Sequence, residues 1–402
     1  MAYKTLWTGH LRPMVFGACF TILTIASVGF AATESPVRIG FLTPFVGVYA
    51  KIGKDMDNGF KLDLEQIKHQ AGGRNIVLHA EDSEAKPDVG LSKARKLVEK
   101  DQVHVLAGII HSGVAYAIRD YVTGNRIPLV ITNAGAERLT SADRSPYIFR
   151  VSFSNGQQDR AGGWYAATKA KMRRMILLAP DYSAGHEKAA GFKKTFTAAG
   201  GQAVAEIYPP LGSQDFAPFL AQVIAKAGQT DGVWAFFAGS DSIRFINQFA
   251  EYGLKEKTKL FVLGDTVDDS ILPSMGDAAS GVVSYLHYAL TLDTPANKRF
   301  VAEYRKKYHE DPSMFSEQGY VGARAIVEAM NAVKGDLERK DNFLAALRRV
   351  QFEAPRGAFK FDEFQNVINP VYIRKTEKSG ARLHSVVIDK IPNVDQFWEP
   401  KK

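Results

Sequence analysis

The residues of this chain that could do chemistry stand where short apolar runs give way to helical periodicity. Ser112 is the foremost. Ile110-His111-Ser112-Gly113 follows the apolar run through Gly108 and precedes a repeat of Val114, Ala117, Ile118, Tyr121 and Val122. A hydroxyl there can donate to a carboxylate, while the neighbouring N–H groups and the positive end of the helix dipole act on the same anion. The alternative is that Ser112 caps its own helix, as serine routinely does. Asn133-Ala134-Gly135, after Ile131-Thr132, and Phe45 to Tyr49, after Val37 to Leu42, occupy equivalent positions. Together these loops offer noncovalent capture of a small anion.

A second set has the same layout: Pro180-Asp181-Tyr182-Ser183-Ala184-Gly185, Ala238-Gly239-Ser240-Asp241 and Gly264-Asp265-Thr266. Tyr182 is placed for direct contact with a ligand, and Ser240 opens a helix. Asp241 and Asp265 could accept from a ligand cation or hydroxyl, yet acids in a first helical turn are also ordinary helix stabilisers, the preferred reading for Asp241. Phe45, Tyr49, Tyr182, Phe236, Tyr285 and Tyr288 could face a flat apolar ligand. Phe236 and Tyr285 fall inside strand-like runs and suit a core equally well.

Catalytic signatures are missing. His186-Glu187 begins like a zinc-protease helix, but the fifth position is Ala190, and the other histidines beyond the expected leader are scattered from His69 to His384. There is no Gly-x-Ser-x-Gly elbow, P-loop or dinucleotide-binding fingerprint, and Ser83-Glu84-Ala85-Lys86 lacks the companions of the Ser-x-x-Lys enzymes. The sequence therefore implies no catalytic residue, no metal and no cofactor.

The elements that must position these loops are legible from periodicity. Short apolar, β-branched runs recur at Ile76 to Ala80, Val103 to Ile109, Pro128 to Thr132, Met175 to Ala179, Gly232 to Phe237, Leu260 to Leu263 and Gly281 to Leu286, with helical patterns between them. Ile52, Met56, Phe60, Leu64 and Ile67 make one helical stripe, with Lys54, Asp57, Lys61 and Glu65 opposite; Ile243, Ile246, Phe249 and Ala250 repeat the logic. Alternating strand and helix predicts an α/β protein with doubly wound parallel sheets.

The N-terminus reads as an export signal of residues 1–31. Lys4 and Arg12 precede an apolar run from Met14 to Phe30, and Gly29-Phe30-Ala31 offers small residues for cleavage. A membrane anchor is the alternative, but Thr21, Thr24, Ser27 and two glycines make the run weakly apolar, and spanning takes about 20 strongly apolar residues. Cleavage would remove Cys19, the only cysteine among the 402 residues, so the fold needs no disulfide. A formal charge of +8 is spread among acids rather than gathered in a patch, which excludes a nucleic-acid partner. Such a length suits two lobes. Changes of texture place them at 36–151 and 285–357 for the first and at 152–284 and 358–398 for the second. Val371 to Ile388 reads as extended chain returning to the second lobe.

Ile39-Gly40-Phe41-Leu42-Thr43-Pro44 with Gly47, Glu81-Asp82-Ser83, Ala107 to Ser112, Gly239-Ser240-Asp241, Gly322-Ala323 and Phe359-Lys360-Phe361-Asp362 together carry a family likeness. In order and spacing they resemble the type I periplasmic solute-binding proteins of ABC importers, in the leucine/isoleucine/valine-binding branch. The resemblance implies a monomeric two-lobed clamp with a three-strand hinge, located in the periplasm, that closes on a small carboxylate. The clamp would then be recognised by an ABC permease that carries separate ATPase subunits. It implies that the loops at Ile110, His111 and Ser112 and at Asn133, Ala134 and Gly135 hold the carboxylate, although Asn133 stands where amino-acid binders usually have a threonine. Asp265 is the nearest match to the acid that holds an ammonium group. Members that bind lignin-derived aromatic acids lack a strict ammonium site, and the aromatic loops here favour a benzoate- or hydroxycinnamate-like acid. A branched-chain amino acid, or a ligand-sensing receptor domain, is the alternative.

Overall fold

The computed structural model describes residues 1, 4–10, 35–380 and 382–400. The chain divides into two units, Met1–Glu34 and Ser35–Lys402. In the first, the described residues form neither helix nor strand. The expected leader's Arg12, its apolar run, Cys19 and the cleavage point at Ala31 lie outside the described residues. Among those that are described, no helix is long and apolar enough to cross a membrane.

The second unit begins with β1 (Val37–Thr43), α1 (Ala50–Gln66), β2 (Gln70–Ala71), β3 (Arg74–Asp82), α2 (Pro87–Arg95), β4 (Val105–Gly108), α3 (Ser112–Gly124), β5 (Leu129–Ile131) and β6 (Ile148–Arg150). These strands make a six-stranded sheet in the order β2-β3-β1-β4-β5-β6, parallel except where β2 pairs with β3. Val37, Ile39, Phe41 and Leu42 are all buried, on both faces of β1, because helices cover the sheet on each side. On α1 the stripe Ile52, Met56, Phe60 and Leu64 is buried as expected, but Asp57 is buried too, not exposed. The helix is covered on its polar side as well, where Asp57 pairs with Lys61 and the buried Asp63 with Arg324.

The chain then builds α4 (Gln157–Thr168), β7 (Arg174–Leu178), α5 (Ser183–Ala198), β8 (Gln202–Ile207), α6 (Ala217–Lys226), β9 (Gly232–Ala235), α7 (Ser240–Glu251), β10 (Lys259–Leu263) and β11 (Val283–Leu286). It returns to the first lobe through α8 (Pro295–Tyr308), α9 (Met314–Ala332), which packs along α1, α10 (Lys340–Arg348) and the hairpin of β12 (Gln351–Ala354) and β13 (Gly357–Lys360). It ends in β14 (Asn369–Ser379) and β15 (Arg382–Val394), which extend the second sheet to the order β15-β14-β11-β10-β9-β7-β8. The second sheet is therefore mixed rather than wholly parallel: β14 runs antiparallel to β11, and β15 antiparallel to β14. A tight connection joins the last two strands, which only an antiparallel pair permits.

The chain thus passes between the lobes after Arg150, after Leu286 and after Lys360. Buried polar groups brace these crossings. The Arg356 guanidinium donates from Nε to Glu317 Oε1 (2.8 Å) and from Nη1 to the Val151 carbonyl (3.0 Å), and the Asn369 amide donates to the Ser152 carbonyl (2.5 Å). Gln157 Nε2 reaches the carbonyls of Val367 (3.0 Å) and Val394 (2.8 Å). Breaking a buried pair such as Arg356–Glu317 typically costs about 3–5 kcal/mol, so the crossings are held in register.

Candidate functional site

Strand order decides where a site can form. In the first sheet β1 lies between β3 and β4, so the loops after β1 and β4 diverge and leave a crevice at their carboxyl ends; in the second sheet β7 does the same between β8 and β9. The loops at the first crevice carry Tyr49, Ile110 and Ser112, and those at the second carry Tyr182, Phe236 and Ala238. All six line one small cavity of about 20 Å³ between the lobes. That is room for about one water, far below the roughly 300–1,000 Å³ of occupied ligand cavities, so the lobes must part to admit a small molecule. Phe153 and Asn155, from the first crossing, and Phe315, at the start of α9, complete the walls with Asn133, Gly135, Lys188 and Asp265. The turn into Ile110 is strained: Ile109 has a φ of 72°, a left-handed backbone costly for a β-branched residue.

The lobes are closed on each other. Tyr49 of the first donates its hydroxyl hydrogen to the Tyr182 hydroxyl of the second at 3.1 Å. Gly239 comes so near the first lobe that a Cβ there would lie 2.1 Å from the Val48 carbonyl oxygen. Asn155 bridges both sides, its amide donating to Ser112 Oγ (3.1 Å) and to Glu187 of α5 (2.8 Å). A Cβ at Gly135 would meet the Asn155 side chain at 2.2 Å, so this loop needs glycine to let Asn155 reach Ser112.

One end of the cavity gathers hydrogen-bond donors. The N-cap of α3 is His111, and no side-chain capping bond forms there, so the reading of Ser112 as a cap does not hold. Ser112 instead lines the cavity, and because its oxygen accepts from Asn155, its own proton is left to donate. The N-terminus of α5 reaches the same space through Tyr182 and Ala184, adding a second positive dipole end.

The second-lobe wall carries charge. Lys188, on α5, is only 2% exposed, and its Nζ has no hydrogen-bond partner among the described residues. It lies over the rings of Phe153 and Phe236 at 4.2 and 4.9 Å from their centroids. Two buried acids face it. Burial pushes the Asp265 carboxyl up to about 6, against the lowering effect of Lys188 and with Asp159 adding to the rise. Asp159 is raised by burial too, with Lys188 and the Tyr285 hydroxyl at 2.6 Å opposing.

Of the residues expected from sequence, Tyr49, Ile110, Ser112, Asn133, Gly135, Tyr182 and Asp265 meet at this cavity. His111 stacks on Tyr182 (4.9 Å between centroids) behind the wall. Ala134 is buried in first-lobe packing, its N–H donating to Ile109. Phe45 is half-buried away from the cavity, its N–H held by Asp82, and Ser240 begins α7 without lining it. Asp241 holds Gly212 and Arg244, the structural role preferred for it. Tyr285 and Tyr288 are core residues, bonded to Asp159 and Asn297, so Tyr288 is not a ligand contact. Sequence reasoning missed Phe153, Asn155, Phe315 and above all Lys188.

A model of the family described as periplasmic binding protein matches residues 36–381. The chain belongs to this family. It is 30% identical over 368 residues to the Leu/Ile/Val-binding protein homolog 6 of Brucella melitensis, covering 89% of this chain and 92% of that one. Among solved structures, an ABC transporter substrate-binding protein from Sphaerobacter thermophilus is 40% identical with a TM-score of 0.85, covering 90% of this chain and 99% of that one. The solute-binding protein of an ABC transporter from Rhodopseudomonas palustris BisB5, solved with 3,4-dihydroxybenzoic acid, is 34% identical with a TM-score of 0.86 and the same coverage. The periplasmic binding protein fold of type I, two α/β lobes with a cleft between them, is thereby shown for this chain.

Proposed function

We propose that this protein captures a small aromatic carboxylate, benzoate- or hydroxycinnamate-like, between its lobes in the periplasm and delivers it to an ABC import permease. The observation that carries this reading is the composition of the cavity wall: Tyr49, Phe153, Tyr182, Phe236 and Phe315 surround the space between the closed lobes, toward which Ser112 and two helix N-termini project. Aromatic faces suit a flat ring, and the N-termini suit its carboxylate. Ile110, Ser112, Asn133 and Gly135 form the carboxylate end in this reading, with His111 and Ala134 supporting the loops. Tyr49, Tyr182 and Asp265 complete the site, while Phe45 and Ser240 stand outside it. The lobes are divided near 151, 284 and 357, the leader is removed after Ala31, and the protein acts as a monomer without turnover of its ligand.

A branched-chain amino acid fits less well. Its ammonium group would need Asp265, which already has Lys188 as a neighbouring cation, so a second positive charge would be repelled. Calorimetric titration of protein stripped of carried-over ligand tests this. Benzoate-type or hydroxycinnamate acids should bind at micromolar concentrations or tighter, with leucine and valine silent. Selective binding of leucine or valine would overturn the aromatic reading.

A further inference from the structure

We infer that Lys188 and Asp265 form a subsite for a neutral hydroxyl on the ligand ring, so that the preferred ligand, if the aromatic-acid reading holds, is a phenolic acid rather than an unsubstituted one. Both residues line the cavity from the second lobe, whereas Ser112 lines it from the first. Lys188 Nζ and Asp265 Oδ2 are each buried without a hydrogen-bond partner among the described residues. A side chain with three donors and one with free acceptor capacity thus stand at the same wall. A buried polar atom left unsatisfied carries an unrecovered desolvation penalty, so a ligand that satisfies both is favoured over one that satisfies neither.

Among the lining residues of the second lobe the unmet pair is one donor and one acceptor, with Asn155 Oδ1 a further unmet acceptor at the Ser112 end and Asp159 Oδ2 one behind the wall, and that pair selects the group. A hydroxyl takes a hydrogen bond from Lys188 on its oxygen and gives its proton to Asp265. A second carboxylate would accept from Lys188 but would face Asp159 and Asp265, two buried acids against one cation. An ammonium would satisfy Asp265 and be repelled by Lys188. The rings of Phe153 and Phe236 fix the lysine by cation–π contact, so its head group is held at the wall rather than free to swing into solvent.

The test is calorimetric titration of the purified protein with benzoate, 3-hydroxybenzoate, 4-hydroxybenzoate and 4-methoxybenzoate, repeated for Lys188→Met and Asp265→Asn. A hydroxybenzoate should bind wild type at least tenfold more tightly than benzoate. 4-Methoxybenzoate, which keeps the oxygen but has no proton to give, should lose that gain. Each variant should weaken hydroxybenzoate binding ten- to a hundredfold more than it weakens benzoate binding, so that the preference for the hydroxyl is lost. Equal losses for both ligands would show that Lys188 only balances the buried acids, and would overturn the subsite while leaving the aromatic-acid reading standing. Benzoate bound as tightly as the hydroxybenzoates by wild type would do the same, and this ligand series decides the matter even if a variant fails to fold. Failure of every aromatic acid to bind would overturn both.

Discussion

The Tyr116 hydroxyl on α3 donates a 2.5 Å hydrogen bond to Oε1 of Glu187 on α5, joining the lobes directly. The other oxygen of Glu187 accepts from the Glu137 backbone N–H (3.2 Å) and from Asn155 (2.8 Å). One carboxylate of the second lobe thus holds two groups of the first and one of the crossing between them. These bonds require the closed arrangement, so they bias the open–closed equilibrium on which ligand binding draws.

Removing the tyrosine hydroxyl isolates that bias. A hydrogen bond to a charged group contributes about 1.5–3 kcal/mol, so Tyr116→Phe should weaken affinity for the ligand by roughly ten- to a hundredfold. Small-angle scattering should show a more expanded protein at subsaturating ligand, with the melting temperature of the unliganded protein nearly unchanged. Wild-type affinity in the variant would mean that the lobes close without this contact.

Gly239 sets a steric limit on the same motion. Its φ of 65° and the 2.1 Å approach to the Val48 carbonyl leave no room for a side chain. Gly239→Ala should keep the fold, at a cost of about 1–3 kcal/mol because its φ of 65° with ψ of −139° is open almost only to glycine, but hold the lobes apart. The measurement is ligand-induced compaction by scattering, which wild type should show and the variant should lack.

Ser112→Ala separates ligand binding from helix capping. No capping bond is lost, so chemical denaturation should register only the loss of the Asn155 bond to Ser112 Oγ, about 1 kcal/mol. Affinity for an aromatic carboxylate should fall by about 1–3 kcal/mol, the scale of a bond to a charged group. A stability loss with unchanged affinity would return Ser112 to a structural role.

Much of this was legible because it is local. The α1 stripe, the apolar runs of β4, β7 and β9, and the loops that follow them are all written in periodicity within a dozen residues. Lys188 was legible too, and unread: Ala184, Lys188, Phe192 and Phe196 recur every fourth residue on α5 and are all buried, so a cation interrupts an otherwise apolar stripe. A charge in that position needs a partner or a ligand. Edge strand β8 escaped notice because it is mostly half-exposed and carries no continuous apolar run, and β6 because it has only three residues. Asn155 and the burial of Asp63 were not readable at all. Their partners, Ser112 and Glu187 for one and Arg324 for the other, lie far away in sequence, so only the tertiary fold brings them together.

His111 and Asp265 should give the protein opposing pH responses that nearly cancel. Burial lowers the His111 pKa from 6.5 to about 4, so between those values the unfolded chain binds more protons, and stability falls as pH is lowered through that window. Over the full window the loss is about 3 kcal/mol. Asp265 runs the other way. Its folded pKa of about 6 lies above the ordinary 3.8, so the folded state binds the extra proton, and stability rises by a similar amount as pH falls from about 6 to about 4. Wild type should therefore show little net dependence from this pair. His111→Gln should gain thermal stability relative to wild type as pH is taken from 7 to 4.5, and Asp265→Asn should lose it over the same range. Melting curves for the three proteins decide this: if His111→Gln and wild type stay parallel, the imidazole is protonated as freely in the folded protein as in the unfolded chain, and the buried wall behind Tyr182 is open to water before unfolding begins.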